Sequence, residues 1–423
     1  MSTQLEFGLD TFGDVTASAA GQALSQPQVI RNVVAQAVLA DELGVDWFGI
    51  GEHHRADFAV TAPDVVSSAI AGRTRNIHLG SAVTVLSSDD PVRVFQRFAT
   101  LDAVSDGRAE IILGRGSFTE SFPLFGFELS DYETLFEEKV ELFAALRNEK
   151  PVNWSGTTRS ELKDQSVFPH TESGALRTWL GVGGSPESVV RAARYGFGLG
   201  LAIIGGEPER FAPYADLFRR ALDQFGTGPA PIGVHSPGHV ADTDEQAKDE
   251  LWPHYREMTN RIGRERGWPP ATRQRFEAEA VDGSIYVGSP ETVARKIAAT
   301  VRVLGADRFD LKFSNGTLPH ELMMHSIELY GTKVAPWCGI CLLHHERSVF
   351  SRFDPSARVR SRSGYCTRLG PLHRSGPLDQ VHCTRSGPSH QVRSIAPGQV
   401  HRTRSGPLHQ LRSTAPAHVH CTN

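Results

Sequence analysis

Eight apolar runs, each followed by text whose apolar residues recur at steps of three and four, constrain this chain more than any other feature. The runs are 5–11 (LEFGLDT), 47–51 (WFGIG), 77–86 (IHLGSAVTVL), 109–114 (AEIILG), 178–183 (TWLGVG), 200–205 (GLAIIG), 232–240 (IGVHSPGHV) and 308–313 (RFDLKF). Short, β-rich and bounded by turn residues, they predict buried strands, and the amphipathic stretches between them predict helices. Residues 28–44 (QVIRNVVAQAVLADELG) stop at Gly44, and residues 91–107 open on Pro91 and close on Gly107, as helices do. Eight strand–helix units predict an α/β fold, a closed (β/α)8 TIM barrel. An open doubly wound sheet would carry a nucleotide loop after its first strand, and LDTFGDVTASAAG contains no G-x-G-x-x-G.

The pattern ends near residue 337, where HSIELYGTKVAPW runs into a proline expected to stop its helix. Beyond it the text repeats in 19-residue steps (QVHCTRSGPSHQVRSIAPG, then QVHRTRSGPLHQLRSTAPA) and is too poor in apolar residues to offset ordering entropy. The expected division is therefore a barrel domain over 1–337 and a basic, low-complexity, disordered tail over 338–423. All five cysteines lie in that tail, so the barrel needs no disulfide or cysteine-bound metal. Cys338-x-x-Cys341 with His344 and His345 could form a metal clip, and the arginines a basic arm, but an extension without a part in the chemistry is the favoured reading. Twelve of the 44 basic and three of the 48 acidic residues fall there, leaving 32 against 45 and a net charge of −13 in the barrel domain. Nucleic-acid binding by the barrel is excluded on that charge. With no apolar run of membrane length and an N-terminus (MSTQLEFGLD) unlike an export signal, the chain reads as cytoplasmic and free of membrane spans.

Function concentrates where barrel strands end, and the second strand ends in Glu52, His53 and His54. Consecutive strand residues face opposite sides, so the two imidazoles cannot both serve the barrel mouth; metal barrels use His-x-His instead. The triplet predicts one working imidazole with a supporting neighbour and no metal.

Several ordered segments carry a family resemblance: GEHH after strand two, GSAVTVLSSDDPVRVFQRFATLDAVSDGR, ILGRGS after strand four, and VGGSPESVVRAARYG. Over roughly residues 5–336 the chain resembles the bacterial luciferase-like monooxygenases, flavin-dependent barrels that include deazaflavin enzymes. The resemblance implies an oxidoreductase, a monooxygenase using O2 and reduced FMN from a separate NAD(P)H-linked reductase on a small organic substrate. Hydride transfer with the deazaflavin coenzyme F420, or flavin binding without turnover, are the alternatives. It implies His53 as acid/base with a pKa suited to neutral pH and Glu52 orienting the site. It further places the flavin ring on Ser81, Ala82 and Val83, with a cis peptide at Ala82–Val83 as one form the family uses, and implies a homodimer.

A flavin phosphate needs a helix start. GGSPESVV offers Gly183 and Gly184 for close approach, Ser185 as N-cap, Pro186 at the first position, and Ser188. GSPETVARKI at 288–297 repeats the same capping text, and barrel phosphate sites near strands seven and eight favour this second copy. The resemblance favours the first, with phosphate on Gly184, Ser185 and Ser188, Gly183 beside them, and Arg115 of GRGS reaching across. Asp10, Thr11, His235, His239 and Lys312 are further polar candidates at strand ends. Lys312 raises Schiff-base chemistry, with structural pairing the favoured reading. Phe118, Phe122, Phe125 and Phe127 either line an apolar pocket or pack a loop, and loop packing is favoured.

Overall fold

The computed structural model describes residues 5–18 and 21–339. The repeat tail from residue 340 on, with Cys341, His344 and His345, lies outside the described residues. Eight parallel strands form the barrel: β1 (Glu6–Thr11), β2 (Trp47–Ile50), β3 (His78–Val85), β4 (Ala109–Gly114), β5 (Arg177–Val182), β6 (Gly198–Ala202), β7 (Ile232–Val240) and β8 (Arg308–Lys312). They pair in chain order, and β8 returns to β1 with Glu6 opposite Arg308 and Asp10 opposite Lys312, closing the cylinder. Each of the eight expected runs is one of these strands. The helices that follow them are α1 (Gln26–Glu42), α2 (Pro63–Ala71), α3 (Pro91–Val104), α4 (Tyr132–Leu146), α5 (Pro186–Arg194), α6 (Ala212–Phe225), α7 (Pro290–Leu304) and α8 (His320–Leu329).

Three features depart from the expectation. An antiparallel pair, Val152–Trp154 with Leu162–Gln165, interrupts the path from α4 to β5. Between β7 and α7 the chain inserts helices Asp244–Arg266 and Arg273–Val281 and a short strand, Tyr286–Gly288, that pairs with the outer half of β7. Finally, Pro336 does not end the last helix of the described residues. A π-turn over Tyr330–Val334 shifts the hydrogen-bond pattern, with the Ala335 N–H bonded back to the Tyr330 carbonyl, and residues 335–339 stay helical directly after it, so Pro336 sits inside a continuing helix. Cys338, expected to begin the tail, is buried against the core of the barrel domain.

Two kinds of packing divide the barrel. Outward strand residues such as Leu9, Ile111, Leu113, Leu199 and Leu201 join the helices in one continuous apolar cluster. Inside, Trp47 and Trp179 form a separate small cluster with Ala82, Ile112 and the flanking Val83. These tryptophans fit because the neighbouring inward positions are glycine: a Cβ on Gly49 would lie 2.0 Å from the Trp47 ring, and one on Gly198 2.4 Å from the Trp179 ring. The Arg308 guanidinium is held between the rings, 4.3 Å from Trp47 and 4.0 Å from Trp179. It meets buried Glu110 at 2.7 Å, and Arg177 and the Trp179 indole N–H reach Glu110 at 2.8 and 3.0 Å. Burial would raise the Glu110 carboxyl, but Arg308, the His78 hydrogen bond and Arg177 hold it well below the usual range. This charged layer floors the barrel, and above it the interior opens to the C-terminal rim.

Candidate active site

A cavity of about 360 Å³ occupies the barrel mouth. Glu52, His53, Ala82, Val83, Arg115, Gly183 and Ser188 all line it, as do Asp10, Phe12 and His235. Glu52 follows β2 and Ser188 lies in α5, the helix after β5, so closure of the sheet brings the expected groups together. Ser81, Gly184 and Ser185 stand one step behind the wall. Ser81 is fully buried and bonded to Thr84 and the Ile112 carbonyl, and Ser185 caps α5 by accepting the Ser188 N–H at 3.3 Å.

The two histidines separate as the strand period requires. His53 faces the cavity, whereas His54 points away, its Nε2 2.9 Å from Glu52 Oε1. The other carboxylate oxygen of Glu52 accepts the Val85 N–H at 3.0 Å, so Glu52 joins the end of β2 to the end of β3. Just before that bond the Ala82–Val83 peptide is cis, and the β3–β4 register slips between Ala82 and Thr84. Val83 thereby enters the cavity over Gly114, where a Cβ would come within 2.4 Å of its side chain.

The surroundings of His53 were not legible in GEHH. Phe12, Phe58 and Phe118 box the imidazole at ring separations of 4.9, 4.5 and 5.2 Å, and His53 is 8% exposed. Burial pushes its pKa down to about 4, an effect the more distant Asp14 charge offsets only in part. The imidazole is therefore neutral at pH 7, where a pKa near neutrality was expected. Of the loop phenylalanines, Phe118 walls His53, Phe122 is core beside Tyr132, Phe125 edges His54, and Phe127 lies under Lys139. None of the four lines the cavity, so loop packing describes them.

At the opposite wall, Arg115 extends from the end of β4 toward the start of α5. One guanidinium nitrogen lies 3.5 Å from Ser188 Oγ and another 2.6 Å from the exposed Glu133 carboxylate. A Cβ on Gly183 would meet no atom within 4 Å, so the backbone beside this helix start borders open space. The second copy of the motif differs where its sequence does not. Asp244 accepts the Ser289 N–H at 2.7 Å and the Thr292 hydroxyl at 3.0 Å, so a side chain of the same protein already fills that helix start. Ser289 and Thr292 are not on the cavity wall.

The remaining candidates divide clearly. Lys312 is ion-paired to Asp14 at 3.1 Å and also held by the Ser314 carbonyl, as structural pairing requires. Thr11 bonds Ser314, and His239 is buried on Glu250 of the inserted helix and does not line the cavity; the bend expected at Pro237–Gly238 does not interrupt β7, which is one strand over Ile232–Val240. Asp10 and His235 face the cavity and each other. Arg308 and Asp310 line its deep end and were missed; their alternation with Lys312 in RFDLKF was the available signal, since every second residue of a barrel strand points inward. A second cavity of about 440 Å³ adjoins the first at Gly183, Ala202 and Ile204 and is lined by Phe211, Tyr255, Trp268 and Phe276.

Comparison with known proteins gives a consistent result. The profile of the luciferase-like monooxygenase family matches residues 11–308. The chain is 27% identical over 317 residues to 4-hydroxyprotoasukamycin monooxygenase of Streptomyces nodosus subsp. asukaensis, covering 70% of this chain and 83% of that one. The FMN complex of the oxygenating constituent of 3,6-diketocamphane monooxygenase, a type II Baeyer–Villiger enzyme of Pseudomonas putida, superposes with a TM-score of 0.63 at 20% identity, over 79% of this chain and 98% of that one. The coenzyme F420-dependent tetrahydromethanopterin reductase of Methanopyrus kandleri does so with a TM-score of 0.56 at 17% identity, over 79% and 99%. At these identities the two structures share the fold.

Proposed function

The chain belongs to the luciferase-like monooxygenase family, and from that premise we propose that it holds reduced FMN in the barrel-mouth cavity and oxygenates a small organic substrate. The observation that carries this reading is that an aromatic-boxed imidazole, Arg115 and the α5 helix start share one cavity, while the duplicate helix start lies off that cavity and is filled by Asp244. Val83, Ala82 and Ile112 give a flat apolar surface for a tricyclic ring. The phosphate falls to the first turn of α5 and Ser188, where the helix dipole favours an anion, with Gly183, Gly184 and Ser185 shaping the approach and Arg115 supplying the charge. Reduced flavin, when bound, supplies the chemistry with O2. The residues of the chain bind it, exclude water and hold protons. His53, neutral, donates or accepts one hydrogen bond at the ring, and Glu52 fixes the β2 and β3 ends that carry His53 and Val83. The adjoining aromatic-lined cavity gives an apolar substrate room beside the ring. A separate reductase delivers the reduced cofactor.

Visible-absorption titration of the purified protein with FMN and with F420, followed by O2 uptake with chemically reduced FMN and a panel of aldehydes and ketones, tests the proposal. Saturable FMN binding and substrate-dependent O2 uptake are expected. Binding of F420 alone overturns it in favour of hydride transfer, the second reading, which rests on the same barrel in the reductase.

A further inference from the structure

The cavity wall holds a second imidazole that the reading above leaves without a role. His235, on β7, places Nδ1 2.8 Å from Asp10 Oδ2 on β1, and both residues line the cavity. Because Nδ1 is engaged by the carboxylate, the ring presents Nε2 to the cavity; no protein group among the described residues bonds it. The other Asp10 oxygen, Oδ1, is buried and unpartnered. The His235 ring is stacked on Phe12 at 6.0 Å and 14°, and the same phenyl ring meets His53 edge-on at 4.9 Å. Two imidazoles thus flank one phenylalanine; His235 is hydrogen-bonded to its carboxylate at 2.8 Å, whereas the Glu120 carboxylate stands 3.9 Å from His53 Nδ1.

We propose that the Asp10–His235 pair is a second functional group of this cavity, donating a hydrogen bond from Nε2 to an oxygen acceptor of the bound cofactor or substrate. The Asp10 carboxylate fixes the ring orientation and holds a proton on Nδ1, so Nε2 donates when the ring is the imidazolium, the form that the adjacent carboxylate favours. The neighbouring charges agree. Burial alone would lower His235, yet the Asp10 carboxylate outweighs it and holds the imidazole above its ordinary range. On β8, Lys312 opposes that effect but is itself neutralised by Asp14. Burial pushes the Asp310 carboxyl up to about 7 in spite of Arg308, and its residual charge adds to the field of Asp10. His53 contributes no charge at neutral pH. The cationic donor therefore belongs to His235, while His53 offers the single N–H of a neutral ring. The inference extends the proposed function, but its first test needs no cofactor.

Imidazole 15N NMR of the cofactor-free protein reads both protonation and contacts. His235 is expected to titrate above free imidazole, and Asp10→Asn, nearly the same shape, to bring the midpoint down. A His235 already neutral at pH 7, or a midpoint unmoved by Asp10→Asn in a protein with an unchanged melting profile, overturns the pair. Adding FMN, and separately acetate, then identifies the acceptor. A shift of the His235 Nε2 resonance with FMN places it on the cofactor, and a shift with acetate alone on a substrate-sized oxyanion. No shift with either overturns the donor role. Failure of FMN to bind at all is read by absorption and counts against the proposed function, leaving the titration and the acetate arm to decide this inference.

Discussion

Replacing Arg115 by alanine separates the phosphate reading from a surface role. A hydrogen bond between guanidinium and phosphate is worth about 1.5–3 kcal/mol, because one partner is fully charged. Part of that is already spent without ligand, since Arg115 is paired to Glu133 at 2.6 Å. Glu133 is 65% exposed, so that pair contributes only about 0–1 kcal/mol. The difference, about 0.5–3 kcal/mol, corresponds to FMN binding roughly 2- to 160-fold weaker in Arg115→Ala. Releasing Arg115 by Glu133→Gln should do the reverse, tightening FMN by up to about fivefold. Flavin fluorescence quenching measures both, and riboflavin is the control, because it carries the ring without the phosphate. FMN affinity within about twofold of the parent, or an equal loss with riboflavin, would refute the assignment of Arg115 to the phosphate.

Four further perturbations follow from the same structure. His53→Ala should cost about 10²–10⁴-fold in turnover while sparing FMN affinity, and steady-state kinetics of the variant beside its FMN titration checks both. Because the folded imidazole has a pKa of about 4 against about 6.5 unfolded, the unfolded chain binds the extra proton between those values. Stability from keeping His53 neutral is thus complete above about pH 6.5 and declines by about 1.4 kcal/mol per unit as pH falls to about 4, roughly 3 kcal/mol in all, and His53→Gln should flatten that part of a denaturation-against-pH profile. Arg308→Met should destabilise the fold by about 3–5 kcal/mol, measured by urea denaturation, because it leaves the buried Glu110 charge with weaker partners. Asp244→Ala should cost about 1–3 kcal/mol of stability by orphaning the Ser289 N–H and the Thr292 hydroxyl, yet leave FMN affinity unchanged; a lost FMN site in that variant would move the phosphate to the second helix start.

The barrel was legible because its strands are short apolar runs bounded by turns, and IGVHSPGHV matched β7 residue for residue. The pair at 152–165 and the strand at 286–288 were not, since runs of only three or four residues carry too little periodicity to stand out. The choice between the two glycine–serine–proline starts could not be made locally. Their capping text is the same, and the deciding group is Asp244, 45 residues before Ser289 in the chain. The state of His53 was hidden for a related reason: its box comes from the ends of β1, β2 and β4, and desolvation by phenyl rings brought from different loops leaves no mark in GEHH. The charged floor was misread by omission, because arginine and glutamate inside apolar runs look like edge residues until the sheet closes around them.

The most direct measurement is a crystal structure of the protein soaked with FMN. The account predicts the isoalloxazine against Val83 within reach of His53 and the phosphate on Ser188 and the first turn of α5, with Arg115 turned from Glu133 onto it. A phosphate at Ser289, or a flavin bound outside the barrel mouth, would contradict it.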